Sequence, residues 1–305
     1  MKVAFAGTPD FAATILGALI SSPHEVGLVI SQPDPRRGRG RKTTPTPVAE
    51  LARRSNLPLK QPARISEISP ELSASDVLVV AAYGQILRPD TLYATRYGAY
   101  NVHASLLPKY RGAAPVERAI MNGESETGVT IMRMDEGLDT GPMALQRSVL
   151  IPPDMDAGEL TELLANTGSE AVVESLNLLE GDELTLVDQD NLSATYASKL
   201  TDEERIIRWE RDAGEVHDLV RALAPRVGAR TRHRDVEGPI KIWRSRNLQT
   251  VTSHSEIGHI RAESGRMVVS CGSGCLEVLE LQVPGGRRLP AREFLLGRKL
   301  QGTFS

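Results

Sequence analysis

From Val3 to Gly181 the chain alternates short apolar runs with segments of helical period, and that alternation leaves few architectures open. VAFA (3–6) ends at Gly7 and is followed by Thr8, Pro9, Asp10 and an apolar-periodic stretch over 11–19. This reads as strand, turn and helix. Pro9 is tolerated near the helix start because the first turn offers its missing N–H no intrahelical acceptor. VGLVI (26–30) forms a second strand, and further buried strands are expected at 76–82, 97–103 and 127–133. Helices are expected at 46–54, 114–121 and 156–179. Strands separated by helices in this way build an α/β fold, a doubly wound, mostly parallel sheet of Rossmann-like type.

After Gly181 the pattern weakens into TLVDQDNLSATYASK (185–199), a polar stretch that reads as a linker. TDEE (201–204) then resembles a capping box with acids in the first turn. A helix is expected over 214–223, with Val216, Leu219, Val220 and Leu223 on one stripe. Beyond Pro225 the candidates are short strands, PIKIW (239–243), IGHIRA (257–262), MVVSC (267–271) and CLEVLELQV (275–283), separated by Gly and Pro turns. That texture predicts a smaller, OB-like β-barrel. The expected organisation is an α/β domain over 1–186, a linker over 187–204 and a basic barrel domain over 205–305.

The net charge of −3 conceals an asymmetry. Residues 1–204 carry 18 Lys and Arg against 28 Asp and Glu, whereas residues 205–305 carry 18 against 11. A basic domain tethered to an acidic one suits a polyanionic partner, although attraction between the two halves would give the same imbalance. No apolar run approaches the ~20 residues of a membrane span, and the apolar stretch after Lys2 is too short for a signal peptide. Cys271 and Cys275, with three residues between them, match neither a CxxC redox pair nor a zinc site. They are expected to be small buried residues of a reduced, cytoplasmic protein, with a monomer as the default and no metal.

The chemistry-bearing stretches are NVHASLLPKYRGAAP (101–115) and MDEGLDTG (134–141). If 99–103 is extended, Asn101 and His103 project to one face where a strand enters a loop, the place where open α/β sheets bind ligands. Asp139 lies between Gly137 and Gly141 in a tight turn that could carry its carboxylate to the imidazole. Each residue alone has a plainer reading, as a turn cap or a hydrogen-bonded structural group. Converging, they suit acyl transfer, in which a tetrahedral oxyanion needs donors and a nucleophile must lose a proton. No GxGxxG follows the first strand, and the serine-hydrolase GxSxG and phosphate-loop patterns are absent as well.

These motifs resemble the 10-formyltetrahydrofolate-dependent formyltransferases. The likeness rests on NVH (101–103), SLLP (105–108) and Asp139, and extends to GTPDF (7–11), SQPD (31–34), AYG (82–84), RGAAP (111–115), TGVTI (127–131) and YASKL (196–200) in order. It is strong over the first 200 residues and weaker over the last 100. It implies formyl transfer from 10-formyltetrahydrofolate as co-substrate, with Asn101, His103 and Asp139 catalytic. Asp139 beside His103 would favour the charged imidazole and could take up a proton through water. A folate contact is implied at Ser105, Leu106, Leu107 and Pro108, with Tyr83, Ile86 and Leu87 of VAAYGQIL (80–87) opposite them around the pterin. Arg88 stands where that family more commonly has Pro.

The catalytic core does not choose the acceptor amine, since related enzymes formylate small ribonucleotides or amino sugars. The loop SQPDPRRGRGRKTTPTP (31–47) bears on it, with Arg36, Arg37, Arg39, Arg41 and Lys42 inside seven positions, interleaved with Gly38 and Gly40. A glycine-rich cationic loop without an apolar anchor suits an RNA acceptor stem, although a solvated basic loop is the plainer alternative. Arg39 best matches that family's tRNA-contacting arginine. A second RNA surface is expected on the basic domain, where Arg226, Arg230, Arg232, Arg234, Lys241, Arg244 and Arg246 are dense, with Arg232 and Lys241 the leading contacts. The implied partner is initiator tRNA, whose methionine carries the amine.

Overall fold

A computed structural model of the chain describes residues 1–37, 42–248, 256–298 and 300–305. The chain divides into two compact units. One takes in Met1–Pro115, Glu126–Val149 and Thr161–Ala197, the other Val116–Ser125, Leu150–Leu160 and Ser198–Ser305. Residues 187–197, expected in a linker, are therefore part of the first unit.

The elements before residue 198 run β1 (Lys2–Gly7), α1 (Asp10–Ile20), β2 (Glu25–Ile30), β3 (Arg36–Arg37), β4 (Lys42–Thr43), α2 (Pro47–Arg54), β5 (Leu59–Lys60), α3 (Ser69–Leu72), β6 (Val77–Ala81), α4 (Pro89–Leu92), β7 (Ala99–His103), β8 (Arg111–Gly112), α5 (Pro115–Met121), β9 (Glu126–Arg133), β10 (Met143–Leu150), α6 (Ala157–Glu180) and β11 (Tyr196–Ala197). The main sheet has the order β10-β9-β7-β6-β1-β2-β5. β5, β2, β1, β6 and β7 are parallel neighbours, and β9 joins β7 antiparallel. The order of the parallel strands reverses between β1 and β6, the switch point at which such sheets open a crevice. There the Thr8 hydroxyl donates to the Tyr83 carbonyl at 3.0 Å. The sheet is apolar because both faces are covered: β6 is buried throughout, and β1 from Val3 on. Gly7 is required where α1 leaves β1, since a Cβ there would lie 2.6 Å from the Ala12 Cβ and 2.9 Å from the Ala81 carbonyl.

The second unit adds α7 (Ala213–Leu223), β12 (Ala229–His233), β13 (Val236–Leu248), β14 (Ile260–Glu263), β15 (Arg266–Ser270), β16 (Cys275–Gln282), β17 (Leu289–Pro290) and α8 (Ala291–Gly297). Its sheet runs β12-β13-β16-β15-β14 with antiparallel pairing throughout, and β17 pairs β16. The two ends of that order are joined by residues 302–305. Phe304 bridges His233, Thr303 bridges His259, and the Ile260 N–H donates to the Gly302 carbonyl at 2.8 Å. This closes the sheet into the expected barrel and leaves few ladder groups unpaired. Phe304 is buried inside, stacked on Trp209 at 5.6 Å. The stripe of α7 faces the same core, with Val216, Val220 and Leu223 buried and Leu219 packed at its edge. Cys271 and Cys275 are free and buried, and burial pushes the Cys271 thiol up to about 12.

The TDEE box forms, but not at the head of an α-helix. The Thr201 N–H donates to Glu204 Oε2 at 2.9 Å and the Glu204 N–H to the Thr201 hydroxyl at 3.3 Å, over a single 3₁₀ turn at Glu203–Arg205. Propagation stops because the Ile207 N–H is taken by the Arg230 carbonyl of β12 at 2.7 Å. The Arg118 guanidinium bonds both Glu204 oxygens, and chiefly for that reason the carboxyl is held down at about 2 against an ordinary 4.5. A folded-state pKa below the unfolded one stabilises fully above the unfolded value and is lost as pH falls through the folded one. Melting temperature followed downward from pH ~4.5 to ~2 should therefore fall less steeply in Glu204→Gln than in the parent chain. Equal slopes would show that the pair contributes nothing to acid sensitivity.

Candidate active site

Strand β7 carries Asn101 opposite Met132 and His103 opposite Thr130 of β9. Asn101 is half-buried, and among the described residues its side-chain amide bonds nothing. His103 is buried, its Nε2 lying 3.0 Å from the Tyr110 carbonyl. A carbonyl only accepts, so this bond assigns the proton to Nε2 and leaves Nδ1 as the ring nitrogen nearer Asp139. Asp139 Oδ2 stands 3.7 Å from Nδ1, inside ion-pair range and beyond a direct hydrogen bond.

The turn that presents Asp139 is built by its neighbours. The Asp135 carboxylate accepts from the Gly137 N–H at 3.0 Å and the Thr140 hydroxyl at 2.7 Å. A Cβ on Gly141 would fall 1.9 Å from the Arg133 carbonyl, which explains the second bracketing glycine. Asp139 itself sits at φ +53°, a left-handed conformation that costs an L-residue about 1–2 kcal/mol. Two features hold it there. The Gly112 N–H donates to Asp139 Oδ2 at 2.8 Å, and the Gln189 amide donates to the backbone carbonyls of Asp139 (2.8 Å) and Gly141 (2.7 Å). Gln189 in turn accepts from Arg111 Nε and Nη2 at 3.0 and 2.8 Å, and Arg111 also bonds Asn191. Arg111 is 2% exposed, and among the described residues no carboxylate pairs with it. Sequence reasoning missed Gln189, because a single buried glutamine in a polar stretch leaves no compositional signal.

The SLLP loop is held from β9 and β10. Thr130 donates to the Ser105 carbonyl at 2.7 Å and accepts from the Leu107 N–H at 3.0 Å, while Gln146 donates to the Leu107 carbonyl at 2.8 Å. The Leu107–Pro108 peptide is cis. Ser105 is fully buried and gives its hydroxyl proton to the Lys109 carbonyl at 2.6 Å; Leu107 is buried too, and Leu106 and Pro108 are half-buried. Tyr83 and Leu87 belong to the core cluster with Leu78, Val80 and Ala99, and burial pushes the Tyr83 phenol up to about 12. Ile86 is 92% exposed. Apolar side chains with surface to offer are therefore Ile86, Leu106 and Pro108. Arg88 caps α4 at φ −87° and ψ 164°, the extended conformation expected before Pro89, so its departure from proline leaves the backbone in place.

SQPD pins the two ends of the basic loop. The Ser31 and Thr46 hydroxyls share a 2.6 Å bond, and Asp34 accepts from the Thr46 N–H, Gln61 and Arg53. Burial works to raise the Asp34 pKa, but these bonds outweigh it and hold the carboxyl below its usual range. On this base β3 and β4 pair antiparallel, Arg36 with Thr43 and Arg37 with Lys42. Arg39 and Arg41 lie outside the described residues. In the barrel Arg232 is exposed on β12. Lys241 is half-buried; its ammonium donates to the Val227 carbonyl at 2.8 Å, and burial, then Arg230, Arg288 and Arg205, hold its pKa below the usual value. The Arg288 guanidinium lies 3.5 Å over the Trp243 ring. Among the described residues no group of three His, Cys, Asp or Glu side chains could hold a metal, and no helix is long and apolar enough to cross a membrane.

A doubly wound sheet ending in this Asn, His and Asp, followed by a basic barrel, is the build of a formyl transferase, and the chain belongs to that family. The formyl transferase pattern matches residues 1–176, and that of the formyl transferase C-terminal domain matches 199–299. Among individual relatives, the methionyl-tRNA formyltransferase of Rubrobacter xylanophilus is 65% identical over 100% of this chain and 99% of its own length. That of Aromatoleum aromaticum is 45% identical over 97% of this chain and 94% of its own. In fold alone, the chain matches an N-formyltransferase from Helicobacter canadensis, solved with folinic acid and dTDP-3-aminofucose. There the TM-score is 0.70 at 18% identity, covering 95% of this chain and 100% of that one.

Gly112 is at φ +121°, and a Cβ there would stand 2.8 Å from the Ala197 carbonyl, so alanine meets both backbone strain and a backbone clash. Gly112→Ala is expected to cost about 2 kcal/mol, a fall in Tm of roughly 4–8 °C. It should also displace the N–H from Asp139 and lower turnover. Thermal unfolding and a transfer assay check both effects; parental values in the two would show that β8 tolerates a side chain.

Proposed function

We infer that the chain transfers the formyl group of 10-formyltetrahydrofolate to the α-amino group of methionine on initiator methionyl-tRNA, for translation initiation. The observation that carries this is the 65% identity to a methionyl-tRNA formyltransferase over all of this chain. Both the catalytic and the C-terminal family patterns are matched. The acting form is a cytoplasmic monomer.

The amine lone pair attacks the formyl carbon and a new C–N bond forms, while the carbonyl electrons move to oxygen. Collapse of the tetrahedral intermediate breaks the bond to the folate nitrogen, which leaves with a proton as the attacking nitrogen loses one. We assign the oxyanion contact to the uncommitted Asn101 amide, which donates without changing charge. His103, whose Nε2–H is taken by Tyr110, exchanges protons through Nδ1 and in its charged form supports the oxyanion or protonates the leaving nitrogen. Asp139, 3.7 Å from that ring, accepts the ammonium proton through water. Ile86, Leu106 and Pro108 offer apolar side chains to the folate; Tyr83, Leu87, Ser105 and Leu107 shape the wall from behind. The cationic loop, with Arg36, Arg37, Arg39, Arg41 and Lys42, takes the acceptor end of the tRNA. Arg232 contacts phosphate in the barrel, and Lys241 adds to the local positive potential.

The test is formyl transfer to charged initiator tRNA with free methionine and an amino-sugar nucleotide as competing acceptors. Formylated methionyl-tRNA alone is expected, with tRNA affinity falling steeply as salt rises. Product on the sugar nucleotide would overturn the acceptor. His103→Ala is expected to lower kcat by roughly 10²–10⁴ while leaving tRNA binding nearly intact. Near-normal turnover in that variant would remove His103 from the chemistry.

A further inference from the structure

We propose that Gln189 is a positioning residue for Asp139, resting on the reading of Asp139 given above. Its amide joins a buried cation to the turn that presents the carboxylate. On one side stands Arg111, which can only donate, and on the other are the carbonyls of Asp139 and Gly141, which can only accept. Only one orientation of the amide satisfies both, with Oε1 on the guanidinium and both amide hydrogens spent on the turn. The residue is 9% exposed, so water does not readily substitute for it. The turn needs such support because Asp139 holds a left-handed backbone at φ +53°.

The same guanidinium belongs to a three-residue stretch that touches both reacting groups. The Tyr110 carbonyl accepts from His103, the Gly112 N–H donates to the Asp139 carboxylate, and Arg111 between them orients Gln189. Gln189 thus fixes the backbone of Asp139 against the stretch that fixes its side chain. Without the amide hydrogens the turn keeps its internal bonds to Asp135 and the Gly112 bond to the carboxylate but loses the anchor on its Asp139 and Gly141 carbonyls, and the carboxylate can swing relative to the imidazole. A misplacement of about 1 Å in such a group costs up to roughly 10²-fold in rate.

Gln189→Glu separates this role from simple stability. The carboxylate serves Arg111 at least as well as the amide does, but it confronts two carbonyl oxygens with no hydrogen to give. The expected result is kcat lowered roughly 10–100-fold. KM values for folate and tRNA should stay within about twofold, since binding surfaces are untouched, and Tm should fall by no more than a few degrees, because the new ion pair with Arg111 offsets part of the two lost bonds. Asp139→Asn and the double variant complete a cycle. If Gln189 acts through Asp139, the double variant loses no more than Asp139→Asn alone. Gln189→Met, similar in volume and without hydrogen bonds, provides a second probe.

Turnover within twofold of the parent in Gln189→Glu overturns the proposal, as do additive losses in the cycle. Loss of activity that merely tracks loss of Tm in both variants overturns it too, leaving Gln189 a structural residue. Asp139→Asn keeps the two layers apart. If it is inactive while Gln189→Glu is normal, only the positioning role falls; if it retains full turnover, the reading of Asp139 falls.

Discussion

The distance between the His103 imidazole and the Asp139 carboxylate is set by a stretch of backbone that belongs to neither. Tyr110 offers its carbonyl to the ring and Gly112 its N–H to the carboxylate, so two peptide groups two residues apart act as the spacer. That spacer is rigid because it is itself a strand. β8 pairs in parallel with β11, the Arg111 N–H donates to the Thr195 carbonyl at 2.9 Å, and the Tyr110 N–H donates to the Thr195 hydroxyl at 2.8 Å. Geometry at the strand end of β7 therefore depends on residues some ninety positions further along the chain. A loop closed over that span is entropically costly, and the cost is met by the apolar core between.

Burying Arg111 without a carboxylate would ordinarily be unfavourable, since a desolvated cation needs compensation. Here neutral oxygens from Gln189 and Asn191 provide it, through planar donors whose directions are fixed. A buried carboxylate in their place would add negative charge close to Asp139. Neutral acceptors satisfy the guanidinium and leave the nearest formal negative charge to the imidazole on Asp139 itself. Polar networks of this kind are worth most when every member is satisfied, and each bond from Arg111 to the Gly141 carbonyl has its partner.

Legibility in the sequence followed the source of each signal. Apolar runs covered on both faces, such as VLVV in β6 and VAFA in β1, announce themselves, as does the α7 stripe. β10 went unread because it is an edge strand with half-buried and exposed positions throughout, so MALQRSVL shows no apolar run. β12 alternates correctly, with Ala229, Thr231 and His233 inward, but two of its three inward residues are polar. The capping box at Thr201 was legible and formed, yet pairing of Ile207 with Arg230 overrode the helix it would have started. At the candidate site, Asn101, His103 and Asp139 stood out by type and spacing. Gln189 did not, since its meaning lies wholly in partners brought from residues 111, 139 and 141.

Chemistry and recognition place different demands on this chain. A primary amine on an aminoacyl ester offers a small target, and contacts to it alone supply little of the binding energy that a selective reaction needs. A polynucleotide attached to that amine supplies phosphates far from the reacting atoms, and cations can bind these without disturbing the catalytic geometry. The charge distribution follows that division: residues 205–305 hold 18 Lys and Arg against 11 Asp and Glu, and the cations within the acidic first part concentrate between Arg36 and Lys42. The mount of that loop is correspondingly firm. Asp34, Thr46, Gln61 and Arg53 lock its base by hydrogen bonds that do not depend on any ligand. On the function proposed above, cations carried on a fixed base but outside the turn of Asp139 serve to bind the acceptor by its body, and the groups around His103 are left to stabilise charge that develops only during transfer.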